Sequence, residues 1–175
     1  GATYDIVIDA YRIETLKPVI VTSTTPMALA VRASLEVDDV RAFARRLKSD
    51  PPLSYGSAGT SSSTYVAAAD LVSRLGGKAI HVPYQGSPQV LTDLAGGHID
   101  FATLGVSAAL VQLPSVRVLA VTTGARSRLP GFERLPTVAE TVAPGYDIGL
   151  WQAVLAPPTF SEASIADLHR RLEAI

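Results

Sequence analysis

The sequence alternates between strand-like and helix-like segments along most of its length. Short runs rich in β-branched residues recur, and most are followed by segments with helical periodicity. In the segment 38–52, for example, the apolar residues at i, i+3, i+4 and i+7 are Val40, Phe43, Ala44 and Leu47. Strands that alternate with helical patterns at intervals of about 10–15 residues indicate βαβ units. We therefore predict an α/β fold in which a mostly parallel sheet carries helices on both faces.

The boundaries of these segments follow from periodicity and from capping residues. Helix caps are expected at Asp38 or Asp39, at Ser87 and at Ser161. The predicted strands are 4–9, 19–31, 53–57, 78–84, 99–104, 116–123 and 147–157. The predicted helices are 38–52, 62–75, 87–97, 105–113, one turn within 135–141, and 161–175.

Composition excludes several classes of function. The chain has 175 residues and a net charge of −1, so it has no basic surface that would indicate nucleic acid or acidic lipid as a partner. It contains no cysteine, which excludes disulfides, thiolate metal sites and a cysteine nucleophile. The three histidines lack metal-ligand spacing, and no apolar run reaches the roughly 18 residues of a membrane span. We expect neither a cofactor nor a metal.

Three loops follow predicted strands and lead into predicted helices, at 56–62, 83–88 and 103–108. All three are rich in glycine and hydroxyl residues and carry no charged side chain. In sheets of this kind ligands bind at the carboxyl ends of the strands, where helix N-termini present unpaired N–H groups. The loops are therefore interpreted as an anion site made of amides and hydroxyls. The alternative is that the small residues only form tight turns and helix caps.

The same segments resemble a known family. The stretches "YGSAGTSSSTYVAAADLV", "HVPYQGSPQVLTDLAGGHIDF" and "VRVLAVTTGARSRLPGFERLPTVAE", in that order, are similar to the substrate-binding proteins of tripartite tricarboxylate transporters, the extracytoplasmic Bug-type receptors. The resemblance implies one lobe of a type II periplasmic-binding-protein fold that holds a small carboxylate. The sequence departs from the family where Ser61 replaces a glycine and Tyr65 replaces a histidine.

The resemblance also implies which residues bind the ligand. They come from the three loops, and the first loop contributes most of them through its backbone amides and hydroxyls. The expected ligand-binding residues are Gly56, Ser57, Ala58, Gly59, Thr60, Ser61, Ser62, Tyr84, Gly86 and Gly105.

The family likeness implies an organisation in three parts. Residues 1–30 hold entering strands and a hinge at Pro26, 31–147 form the second, ligand-binding lobe, and 148–175 return to the lobe interface. No signal peptide is present and the first lobe is absent from this chain, so the ends look cut. A periplasmic location and transient contact with membrane transporter subunits are expected. Trp151 is expected either to line the cleft or to be buried at a lobe interface, and the C-terminal segment is predicted to form a homodimer.

Other functions remain as alternatives. The same fold can serve a ligand-sensing regulatory domain, in which closure signals instead of delivering a solute. A small-molecule hydrolase is a distant third, built on Ser57, His81 and Asp100, although "GSAG" lacks the central serine of a nucleophile elbow. His81 is better interpreted as a structural hydrogen-bonding residue. Arg126 and Arg128 are interpreted either as a clamp for a second carboxylate or as part of a solvated loop.

Overall fold

The computed structural model of the protein describes residues 15–107 and 113–174. The strand predicted at 4–9 and most of the helix predicted at 105–113 lie outside the described residues. Two compact units are present, one of Thr25–Leu150 and one that combines Gly1–Thr24 with Trp151–Ile175.

The secondary structure follows the predicted alternation. The strands are β1 Lys17–Thr25, β2 Met27–Arg32, β3 Leu53–Ser57, β4 Ala79–Pro83, β5 Phe101–Gly105, β6 Val116–Val121 and β7 Leu150–Ala156. The helices are α1 Val40–Arg46, α2 Ser63–Arg74, α3 Ser87–Ala95, α4 Val138–Thr141 and α5 Glu162–Glu173, with a short 3₁₀ turn at Ala33–Leu35. Pro26 divides the single strand predicted at 19–31 into β1 and β2, because proline has no N–H for a strand ladder.

The larger unit is built on a five-stranded sheet with the order β4-β3-β5-β2-β6. Strand β3 pairs in parallel with both β4 and β5, whereas β2 pairs antiparallel with β5 and β6. Four strands therefore share one direction and β2 alone runs against them. The predicted α/β class is confirmed, and the sheet is mixed because of this one reversed strand.

Both faces of this sheet are covered. Successive residues of β2 point to opposite faces: Leu29 and Val31 pack in the core that contains Phe43, and Ala28 and Ala30 pack in the other core. The residues of β2 from 27 to 31 are each 0% exposed. A strand buried on both faces reads as a continuous apolar run, which is why "MALAV" shows no alternation.

The helix caps are partly as predicted. The side chain of Asp39 accepts a hydrogen bond from the N–H of Ala42, and that of Ser161 accepts one from Ser164. The expected cap at Ser87 is wrong by one residue, because Gly86 is the N-cap of α3 and its carbonyl accepts from the N–H of Val90 at 3.4 Å.

The smaller unit pairs β1 with β7 and includes α5. The Lys17 ammonium lies 2.8 Å from the Glu162 carboxylate, and the Nδ1 atom of His169 lies 2.7 Å from the Val19 carbonyl oxygen. Its apolar surface is not fully covered, since the side chain of Trp151 is 57% exposed. Trp151 is therefore not buried within this chain, and its position in a cleft or at a lobe interface stays a prediction.

A half-buried ion pair joins β2 and β3 to Asp100, the residue before β5. One carboxylate oxygen of Asp100 accepts from the Nε of Arg32 at 2.8 Å, and the other accepts from the Ser54 N–H at 2.7 Å and the Ser54 hydroxyl at 2.9 Å. Burial opposes ionisation, but the hydrogen bonds from Ser54 and Arg32 outweigh it and hold the pKa of Asp100 below its ordinary value of 3.8.

We predict that Asp100→Asn lowers the free energy of unfolding at neutral pH by about 1.5–3 kcal/mol, the range for hydrogen bonds to charged groups. Because the pKa of Asp100 is depressed in the folded state, its stabilisation is present above the unfolded pKa and is lost as the pH falls through the folded value. The difference between the two proteins should therefore shrink as the pH falls below about 4. Urea unfolding across this pH range measures it.

The control is Glu36→Gln, an exposed position with no side-chain hydrogen bond to a described residue. A constant difference between Asp100→Asn and the unmodified protein at every pH would contradict the prediction.

Candidate functional site

Three loops that follow strands lie at one edge of the larger sheet, the third described as far as residue 107. Strands β4, β3 and β5 are parallel neighbours, so their carboxyl ends lie side by side. The N–H of Tyr84 donates to the carbonyl of Ser57 at 2.9 Å, which joins the first two loops directly. The N–H of Val106 donates to the carbonyl of Pro26 at 3.0 Å, which fixes the third loop against the start of β2. The structure therefore brings the predicted loops together.

The loop between β3 and α2 turns around one carbonyl group. The Gly59 oxygen accepts hydrogen bonds from the Ser62 N–H at 3.1 Å, the Ser62 hydroxyl at 2.7 Å and the Ser57 hydroxyl at 3.1 Å. Gly59 has φ of +96°, a conformation that L side chains rarely adopt, so a glycine is required at this turn. The Ser62 hydroxyl also caps α2 by accepting from the N–H of Tyr65 at 3.2 Å.

This turn leaves backbone donors free at the start of α2. Within the described part of the chain, the N–H groups of Gly59, Thr60 and Ser61 donate to no protein atom. Thr60 and Ser61 are exposed, whereas the neighbouring Ala58 N–H is taken by the Thr64 hydroxyl at 2.9 Å. Unpaired N–H groups at a helix N-terminus carry partial positive charge and favour an anion.

Ser57 is buried beneath the loop and supports it through hydrogen bonds of its hydroxyl group. Its side chain is 0% exposed, and its hydroxyl lies 2.7 Å from Nε2 of His81 as well as near the Gly59 carbonyl. Burial lowers the pKa of His81, so the ring is neutral at pH 7; with Nε2 protonated it donates to Ser57, which in turn donates to Gly59. The predicted structural hydrogen bond of His81 is confirmed. The Ser57 hydroxyl is thereby occupied and positions the loop.

The catalytic triad considered from sequence is not assembled. Ser57 and His81 are hydrogen-bonded, but Asp100 accepts from Ser54 and pairs with Arg32 instead of orienting the histidine. The ring of His81 lies against those of Tyr55 and Tyr65, at centroid distances of 5.0 and 4.7 Å, and the two tyrosine rings are stacked at 6.4 Å. These contacts suit a packing role.

The second loop places Tyr84 against the first. The Tyr84 hydroxyl donates to the Asp93 carboxylate at 2.7 Å, and burial together with this bond raises the pKa of Tyr84 to about 12. A Cβ at Gly56 would lie 3.1 Å from the Tyr84 ring and 2.6 Å from Ile99, so only glycine fits there. Because its hydroxyl proton is donated to Asp93, Tyr84 can offer a ligand only its ring and the hydroxyl oxygen as an acceptor.

A small apolar cavity lies beside these loops, between α3 and the end of β5. It has a volume of about 310 Å³, and its apolar lining is Pro88, Leu91, Leu104 and Leu150. The hydroxyl residues Ser87 and Ser107 and the backbone of Gly105 complete the described lining. All of these residues belong to the larger unit. Sequence reasoning found Gly105 but missed the leucines; the available signal was Leu91, an apolar residue outside the Val90–Leu94 face of α3.

The arginine clamp considered from sequence is not free. The guanidinium of Arg126 is bound to Glu140, with Nε 3.0 Å from the carboxylate, and this pairing raises the pKa of Arg126. Arg128 is exposed. The described residues contain no group of three histidine, cysteine or acidic residues arranged for a metal ion. Nor is any described helix long and apolar enough to cross a membrane.

Comparison with known proteins identifies similar chains. The family described as "Tripartite tricarboxylate transporter family receptor" matches residues 4–174. The "UPF0065 protein in tcbD-tcbE intergenic region" of Pseudomonas sp. (strain P51) is 32% identical over 142 residues, which are 80% of this chain and 42% of that protein.

Two solved structures are similar in fold. "R. palustris Rpa4515 with adipate" has a TM-score of 0.78 and 32% identity, covering 94% of this chain and 56% of that one. "MatC (Rpa3494) from Rhodopseudomonas palustris with bound malate" has a TM-score of 0.80 and 25% identity, covering 94% and 57%. The chain thus spans 42–57% of the length of these relatives.

We predict that Ser57→Ala lowers the free energy of unfolding by about 0.5–1.5 kcal/mol, because it removes the hydroxyl that bonds to the half-buried His81 ring and to the Gly59 carbonyl. Urea unfolding followed by circular dichroism measures the change. Ser63→Ala is the matched control, since the Ser63 hydroxyl makes no hydrogen bond with a described residue. Equal stability of the two variants would show that the contact between Ser57 and His81 contributes nothing.

Proposed function

Because this chain belongs to the tripartite tricarboxylate transporter receptor family, we propose that it contributes one lobe of a solute receptor that binds a small carboxylate. The observation that carries the proposal is the row of unpaired N–H groups at Gly59, Thr60 and Ser61, at the N-terminus of α2. Two relatives of the same fold have structures with adipate and malate, both carboxylates.

In the proposed site the three loops have different roles. Gly59, Thr60 and Ser61 donate to the ligand carboxylate, while Gly56, Ser57, Ala58 and Ser62 shape the turn that exposes those donors. Tyr84 and Gly86 border the ligand from the second loop, and Gly105 borders it from the third. Neutral donors suit transport, because a carboxylate bound without a cationic side chain can be released.

The lobe assignment is part of the same proposal. Residues 31–147 form the ligand-binding lobe, and the strands near Pro26 and Trp151 act as hinges between it and a first lobe. Closure of two lobes around a ligand is a common hinge movement. A sensory domain would use the same movement to signal, and the full reading frame distinguishes the two by what it joins to this lobe.

The receptor is proposed to work in the periplasm and to deliver its ligand to membrane transporter subunits without chemistry. The buried Ser57 hydroxyl and the absence of an acid on His81 among the described residues argue against hydrolysis. Incubation with esters of candidate carboxylates should release no product.

Association through the C-terminal segment is also proposed. Trp151 and Val21 are 57% and 56% exposed, and Phe160 is 41% exposed. Exposed apolar side chains of this size in one small unit favour contact with another polypeptide. Light scattering of the purified chain should give the mass of a dimer, and a monomer at high concentration would exclude it.

The carboxylate site is tested by Ser61→Asp, in the protein as encoded in full. The new carboxylate competes for the free N–H groups and repels a bound anion, so calorimetric titration with adipate or malate should show at least tenfold weaker binding. The free energy of unfolding should stay the same or rise by about 0.3–1 kcal/mol, because an acidic residue is favourable at a helix N-terminus.

Ser61→Asn is the matched control, with similar size and no charge. It should bind the ligand within a few-fold of the unmodified protein. If Ser61→Asp binds as tightly as Ser61→Asn, the carboxylate does not lie at this loop.

A further inference from the structure

The cavity beside the amide loops differs from them in chemistry. Its walls are formed largely by apolar side chains, among them Leu91 of α3 and Leu104 of β5. Leu150, the first residue of β7, also lines it. None of the described lining residues is ionisable, and the only polar side chains are the hydroxyls of Ser87 and Ser107.

The second loop connects the cavity to the proposed carboxylate site, because it contacts the first loop and contributes residues to the cavity lining. Tyr84 is hydrogen-bonded to Ser57 in the first loop, and three residues later Ser87 begins α3 and lines the cavity. A volume of about 310 Å³ is at the lower end of the range for small-molecule pockets, so it suits part of a small ligand.

We infer that the ligand is a carboxylate whose carbon chain is unsubstituted by hydroxyl groups, the chain lying in this cavity while the carboxylate lies on the amide loop. The inference rests on the proposed carboxylate-binding function and names its substrate class. Aliphatic carboxylates fit it, whereas hydroxylated sugar acids of equal length and charge do not.

The physical reason is the difference between methylene groups and hydroxyl groups on the carbon chain of the ligand. Each methylene group buried against leucine and proline tightens binding by about fourfold. A hydroxyl that leaves water and finds no partner weakens binding by about five- to a hundredfold. Two serine hydroxyls can satisfy only part of a polyhydroxylated chain, so the preference should grow with the number of hydroxyl groups.

Gly105 keeps the cavity open. A Cβ at this position would lie 2.9 Å from Cδ1 of Leu150, closer than ordinary van der Waals contact. Its φ lies outside the left-handed region, so alanine is allowed by the backbone and would act only by filling space. Gly105→Ala should therefore weaken adipate binding at least threefold while changing succinate binding less.

The test compares acids that differ only in hydroxyl groups, by calorimetry on the protein as encoded in full. The pairs are succinate with tartrate and adipate with galactarate, which match in carbon number and in carboxylate count. The unsubstituted acid should bind at least tenfold more tightly in each pair. Equal binding within both pairs, or tighter binding of the hydroxylated acid, would overturn this inference and leave the proposed function standing.

A different result of the same titrations would contradict the proposed function. If none of the four acids binds, the carboxylate-receptor proposal fails and this inference fails with it.

The variant Leu91→Gln connects the preference to the cavity. It keeps a similar side-chain size and helix propensity but makes the wall polar, so it should reduce the adipate-to-galactarate affinity ratio at least fivefold. Leu129→Gln is the matched control, because Leu129 is 42% exposed and lies outside the cavity lining. The ratio is taken on one protein sample, so loss of some folded protein cancels. A ratio that changes equally in both variants would contradict the assignment to this cavity.

Discussion

The parallel pairing of β3 with both β4 and β5 is the constraint on which the site depends. Parallel neighbours end at the same edge, so their loops must meet there regardless of the loop sequences. The pairing requires crossover helices, and α2 and α3 supply them while covering the sheet. Each crossover then delivers a helix N-terminus to the edge where the strands end. The site is thus a consequence of the topology, and the loop residues determine what it binds.

Those residues offer hydrogen-bond donors without formal charge. The turn is held by the Gly59 carbonyl, which accepts three hydrogen bonds, so the donors that remain free are the amides on the outer side. The buried Ser57 hydroxyl and the neutral His81 support this turn from below. Asp93 of α3 accepts from Tyr84, and Arg126, considered from sequence as a clamp, is paired with Glu140. In the proposed function, an anion at this loop would therefore meet dipoles and no counter-charge from these two groups.

Sequence reasoning predicted the alternation of elements and the loop positions because both depend on local patterns. It identified β3 at 53–57 and the cap at Ser161, and Asp39 is one of the two aspartates predicted to cap α1, because one residue type determines the local structure at these places. It did not predict that β2 runs against its neighbours, since a strand buried on both faces has the same apolar pattern in either direction. The cap of α3 was misplaced because Gly86, which has no side chain to signal it, holds that position.

For the candidate site, too, sequence reasoning predicted the features that depend on local patterns and missed those that depend on contacts between separate elements. Glycine and serine in a strand-to-helix loop have a local meaning, so the loop 56–62 was recognised directly. The role of Ser57 was not, because the partner that occupies its hydroxyl, His81, lies on another strand and the contact exists only after pairing. The apolar cavity was missed for the same reason, since Leu91, Leu104 and Leu150 come from three separate elements.

Affinity and selectivity are therefore expected to come from different parts of this lobe. Free amides bind any carboxylate of suitable size, since they recognise the charge and the planar group that all carboxylates share. They cannot distinguish one acid from another by its carbon chain. An apolar wall has the opposite property, because it does not attract the carboxylate but penalises polar groups on the chain behind it. A receptor with the two surfaces side by side would bind all carboxylates through the amides and select among their carbon chains through the apolar wall. Substitutions at Leu91 or Gly105 are then expected to change the selectivity without changing how the carboxylate is bound.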